Sequence, residues 1–140
     1  MTAVKGTQMT KYDAGPSGDN AIDAGLINAK VEVMTELYEA SALATASTID
    51  IAELPANAKF IGAEIFHDDL GTSVTLAMGD SDDPDRYITA SSVASLGHIT
   101  AIRVDGAHYV IGTADGDSRV QLLTSGTITG TIRTNVYFTR

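Results

Sequence analysis

The side chains best placed to do chemistry are the aspartates of Gly79-Asp-Ser-Asp-Asp-Pro-Asp85. Asp80, Asp82, Asp83 and Asp85 share one short run, and Asp68 and Asp69 lie one predicted strand earlier. Hard cations such as calcium take about six to eight oxygen ligands, and carboxylates on a turn can supply several of them. The spacing is not that of an EF-hand loop. Counting Asp80 as the first position, the sixth is Asp85 rather than glycine and the twelfth is Ser91 rather than glutamate. Pro84 also stiffens the middle of the run. It reads as a solvated acidic loop, with a weak cation site as the alternative.

The three histidines, His67, His98 and His108, fall on separate predicted strands, and a three-histidine metal centre would need them to converge. No metal ligand set is assigned. Ser17 and Ser125 sit in turn sequences with no Gly-x-Ser-x-Gly elbow around them, and no glycine-rich phosphate loop with its lysine is present. With no cysteine there is no thiolate nucleophile and no disulfide. Sugar-cleaving and sugar-binding clefts are lined with aromatics, whereas this chain has three Phe, five Tyr and no Trp. The reading is a non-enzyme with no cofactor.

The elements that would carry these groups are strands. From Thr127 to Thr139 the chain alternates without a slip. Ile128, Gly130, Ile132, Thr134, Val136 and Phe138 fall on one side, with Arg133, Asn135 and Tyr137 on the other. Strand side chains point to opposite faces with period two, so the first set is expected inward and the second outward or toward a neighbouring subunit. At about 3.4 Å per residue such a strand could run roughly 40 Å. Upstream, Val31, Val33, Thr35 and Leu37 alternate with Glu32, Met34, Glu36 and Tyr38 as a half-buried strand, followed by a connection over Glu39 to Thr45. Further runs are expected around Ser47 to Ile51, Lys59 to His67, Ser73 to Met78, Arg86 to Ala90, His98 to Val104, His108 to Thr113 and Arg119 to Thr124. Asp105-Gly106 and Asp115-Gly116 are hairpin signals, because glycine accepts the positive φ such turns need. Short strands at this regular spacing predict an all-β, antiparallel β-sandwich of the jelly-roll type.

Residues 1–27 read differently. Lys11-Tyr-Asp-Ala-Gly-Pro-Ser-Gly-Asp-Asn20 is rich in turn formers, and large apolar groups return only at Ile22, Leu26 and Ile27. The division is an irregular N-terminal arm, 1–27, and a sandwich domain, 28–140. The segment reads either as a loose terminus or as an arm that becomes ordered on a partner, and in the second reading its anchors are Tyr12, Ile22, Leu26 and Ile27. Across the 140 residues the formal net charge is −9, from 18 acids against nine scattered bases. Nucleic-acid binding needs clustered Lys and Arg, so nucleic acid is not an expected partner. No stretch approaches the ~20 apolar residues of a membrane span, and the early lysine has no apolar run behind it, so neither membrane nor secretion signal is expected.

Three segments together resemble a known family: Lys11 to Asn20 leading into Asn28-Ala-Lys-Val-Glu-Val33, Leu76-Ala-Met-Gly-Asp-Ser-Asp-Asp-Pro-Asp-Arg-Tyr-Ile88, and the Thr/Ile-rich C-terminal strand. They are similar to small virion structural proteins of tailed bacteriophages, in particular capsid decoration (cement) proteins. The resemblance implies a β-sandwich or jelly roll that is made in the host cytoplasm. It implies a place on the capsid exterior as a dimer or trimer, bridging neighbouring subunits of the major capsid protein. It carries over no active-site residue. Net acidity suits a protein that must stay soluble and off packaged DNA. A head-fibre or tail component, or a carbohydrate- or receptor-binding sandwich module, is the alternative.

Overall fold

The alternation along the chain becomes eight strands in the computed structural model, which describes residues 30–112 and 118–140. They are β1 (Val31–Leu43), β2 (Thr48–Glu53), β3 (Lys59–His67), β4 (Thr75–Gly79), β5 (Ile88–Ser92), β6 (Gly97–Ile99), β7 (Arg119–Thr124) and β8 (Ile128–Thr139). Two four-stranded sheets form, in the orders β1-β8-β3-β6 and β2-β7-β4-β5, and all their pairings are antiparallel. Successive strands alternate between the sheets except at β4 and β5, which are neighbours in one sheet. This is the jelly-roll arrangement of a β-sandwich. Residues 1–27, with Tyr12, Ile22, Leu26 and Ile27, and the Asp115-Gly116 turn lie outside the described residues.

The core fills the space between the two inner faces. β8 contributes Ile128, Ile132, Val136 and Phe138, all buried, while Arg133 is exposed and Asn135 and Tyr137 are half-buried, in the phase the sequence predicts. β3 adds Phe60, Ala63 and Ile65; the other sheet answers with Ile49, Ile51, Leu76, Met78, Ile88, Val120 and Leu122. Phe60 stacks on Tyr87 with ring centroids 4.0 Å apart.

β1 departs from its expected bounds and reveals its face. It continues through the expected connection to Leu43, because β8 offers a ladder from Val31↔Thr139 to Ala40↔Gly130 and, past a bulge, Leu43↔Ile128. Met34, Tyr38 and Ala40 pack inward, opposite Val136, Ile132 and Gly130. Val31, Val33 and Leu37 therefore point outward. Two expected strands contract. His98 to Val104 is a strand only over Gly97–Ile99, and His108 to Thr113 keeps a single bridge, Val110 to Lys59. The intervening segment instead turns back over Tyr87: the Arg103 N–H donates to the Tyr87 carbonyl, and those of Gly106 and Ala107 to the Arg103 carbonyl. Asp105-Gly106 is thus a turn within a loop rather than a hairpin between two long strands.

Candidate interaction surface

The acidic run is a folded loop held by its first aspartate. Asp80 is buried, and its Oδ1 accepts the N–H groups of Asp82 (3.0 Å) and Asp83 (2.9 Å). The Arg86 guanidinium donates to both carboxylate oxygens and lies 4.1 Å from the centroid of the Tyr109 ring. Gly79 admits this fold-back, since a Cβ there would stand 2.1 Å from the Asp83 carbonyl oxygen. Asp85 pairs with Arg103 (2.9 Å), and Asp69 accepts the Gly71 N–H. These carboxylates serve the loops that carry them. Among the described residues no group of three or more His, Asp or Glu side chains is arranged to hold a metal ion. The histidines do not converge: His67 is buried with Nδ1 2.8 Å from the Asp68 carbonyl, His98 lies on the outside of β6, and His108 is in the loop after it.

The outer face of the β1-β8-β3-β6 sheet is a different kind of surface. Register arranges it in cross-strand rows. His98, Phe66, Arg133 and Leu37 form one row; Glu64, Asn135 and Thr35 the next; Gly62, Tyr137 and Val33 a third; Lys59, Thr139 and Val31 a fourth. Val31, Val33, Leu37 and Phe66 are 53%, 51%, 45% and 39% exposed. Val110, opposite Lys59, and Leu96, at the rim beside Phe66, extend the apolar area. Phe66 and His98 stack face to face, 4.2 Å between centroids.

A polar network stiffens the middle. Glu64 Oε2 accepts Asn135 Nδ2 (3.0 Å) and the Tyr137 hydroxyl (2.7 Å), and Glu64 Oε1 stands 3.4 Å from His98 Nε2. The Asn135 hydrogen bond, then the Tyr137 one, hold the Glu64 carboxyl below the usual carboxylate range. The same Glu64 bond pushes the Tyr137 phenol up. Exposed aliphatic groups, a stacked aromatic, a tyrosine and an arginine on a stiff sheet are the composition of a protein-binding surface.

The outer face of β2-β7-β4-β5 contrasts with it. Asp50 accepts from Gln121 (2.6 Å) and pairs with Arg119 (3.3 Å), which also reaches Glu53 (3.5 Å). The Asp80 loop borders a depression shared with Thr48, Gln121 and Leu123. None of the large exposed apolar side chains among the described residues belongs to that sheet. Sequence reasoning placed Arg133, Asn135 and Tyr137 on an outward or subunit-facing side but missed Val31, Val33, Leu37 and Phe66. The signal lay in the pairing of β1 with β8.

No protein-family model matches this chain, and no curated protein matches its sequence. Solved structures do. A chain of the cyanophage Pam1 capsid asymmetric unit superposes with a TM-score of 0.65 at 24% identity, covering 99% of each chain. A chain of the capsid of Ralstonia phage GP4 gives 0.60 at 18% identity, with 89% of each covered. A chain of the acid-stable capsid of Helicobacter pylori bacteriophage KHP30 gives 0.57 at 12% identity, over 79% of this chain and 87% of that one. The chain shares its fold with components of three phage capsids.

Proposed function

We propose that this protein is a non-catalytic structural component of a phage virion that binds the capsid exterior and stabilises it by bridging neighbouring major capsid protein subunits. The observation that carries the reading is the open apolar face of β1-β8-β3-β6 on a fold found in phage capsid chains. Several large apolar side chains exposed on one sheet face, interleaved with Arg133 and Tyr137, support an interaction site there. The opposite sheet, polar and internally ion-paired, suits the side turned to water. Residues 1–27 act in this proposal as a second contact anchored by Tyr12, Ile22, Leu26 and Ile27, so that a small body spans more than one shell subunit. Self-association into dimers or trimers would use the long β1 edge, with which only β8 pairs among the described residues.

The head-fibre or tail role differs from this only in location on the virion. A sugar-binding role needs aromatics set in a cleft. Tyr87 is buried and Tyr38 and Tyr109 pack against the core, which leaves Tyr137 on the open face among the described tyrosines. The test is addition of the purified chain to shells assembled without it. Retention on the shells at a fixed stoichiometry and a higher rupture temperature are expected. Loss of residues 1–20 should weaken retention while leaving the body folded. No retention of the intact chain overturns the reading and promotes the receptor-binding alternative.

A further inference from the structure

We propose that Arg133 is the specificity-determining residue of the open face, and that its counterpart is a carboxylate on the capsid shell protein, seated beside an apolar side chain. This inference rests on the shell-binding reading and names the chemistry of its partner. Arg86 pairs with Asp80, Arg103 with Asp85 and Asp105, Arg119 with Asp50 and Glu53, and Arg140 with Glu32. Arg133 is the one described arginine without an acidic partner, in a chain where acids outnumber bases 18 to nine.

The carboxylates nearest to it in the sheet register are committed elsewhere. Glu64, one row away, is held by Asn135 and Tyr137. Glu39 accepts the Thr131 hydroxyl at 2.9 Å, and Asp68 accepts the Thr131 N–H at 3.0 Å. Arg133 stands between Leu37 and Phe66 in its row, and it borders an open depression of about 240 Å³ lined also by Phe66, Leu96 and Thr131.

A partner that covers these apolar side chains also removes the guanidinium from water. Burying that charge without a counter-charge is strongly unfavourable, so the partner must bring an acceptor. The planar fork of arginine matches a carboxylate with two parallel N–H···O bonds. Phosphate would fit the same fork, but a chain of net charge −9 is repelled by a polyphosphate backbone. The apolar depression then takes the side chain next to the acid.

The experiment uses shells assembled without this chain and measures retention of the full-length protein. Arg133→Gln is expected to lower affinity about tenfold or more, the usual result of removing one partner of a covered charge pair. Arg119→Gln, on the opposite sheet, should bind as the parent does. Arg133→Lys keeps the positive charge, and zero-length carbodiimide coupling on the shell should then join position 133 to an Asp or Glu of the shell protein, identified by mass spectrometry. Unchanged retention of Arg133→Gln, or a shell-bound Arg133→Lys protein that couples to no shell carboxylate through position 133, overturns the inference while leaving shell binding intact. Failure of the parent protein to be retained overturns the shell-binding reading itself. Thermal midpoints matching the parent show that the variants fold.

Discussion

Four N–H donors converge on the carboxylate of Asp80: the backbones of Asp82 and Asp83, and two positions of the Arg86 guanidinium. Asp80→Ala strands a mostly buried arginine and opens the loop, so it should cost about 2–4 kcal/mol in urea unfolding. Asp80→Asn keeps an oxygen for the two backbone donors and should cost less; equal costs would mean that this retained acceptor contributes nothing and that loss of the ion pair accounts for the whole effect. The composition of the run suggested water or a cation as the companion of these acids. What a sequence cannot display is that Arg86 folds back across Pro84 to claim the first of them. Glu64 gives a second test at this scale. Its folded-state pKa lies below the ordinary value, so its contribution is present above the ordinary carboxylate range and is lost as pH falls through the lowered value. Stability curves of the parent and Glu64→Gln should separate at neutral pH and converge in acid. A gap that stays constant down to strong acid would show that the ionisation of Glu64 contributes nothing, and curves that already coincide at neutral pH would show that the network stabilises nothing.

At the scale of the element, β8 was the easiest strand to read and β1 the most misleading. In β8 the apolar phase is unbroken and coincides with the buried phase, so Ile132→Ala should cost about 2–5 kcal/mol. In β1 both phases carry large side chains, and alternation alone tells which residues share a face without telling which face is covered. The partner decides it: Ile132 and Val136 point inward, so Tyr38 and Met34 opposite them must follow. Val33→Thr should then shift stability by no more than about 0.5 kcal/mol, as exposed substitutions do, whereas Met34→Thr should lower the melting temperature clearly. The reverse order would place the other face of β1 on the core. The bend at the end of this pair rests on Gly130, whose φ is +134° and whose added Cβ would lie 3.0 Å from the Leu70 side chain. Gly130→Ala should destabilise by about 1–2 kcal/mol, more than a glycine in relaxed backbone would.

At the scale of the molecule, the jelly roll was legible because nine alternating runs with turn residues between them leave few other architectures. The long β6–β7 connection was not, since its strand-like stretches at His98 and His108 find only three residues and one bridge along β3. The apolar outer face was hidden for a related reason: it is assembled from β1, β3, β6 and β8, strands distant in sequence, and none of them is unusual alone. Put together, the two outer faces differ in kind, one apolar around Arg133 and the Glu64 network, the other polar and ion-paired. That asymmetry is the basis for assigning one side to a shell and the other to water. The most direct measurement is a binding isotherm on shells assembled without this chain, comparing the parent protein with Leu37→Asp/Phe66→Asp on the apolar face and Thr48→Asp/Thr89→Asp on the opposite sheet. The account predicts that the first pair abolishes binding while the second leaves it unchanged, with both variants folded. Full binding by the first pair, or its loss only in the second, would contradict it.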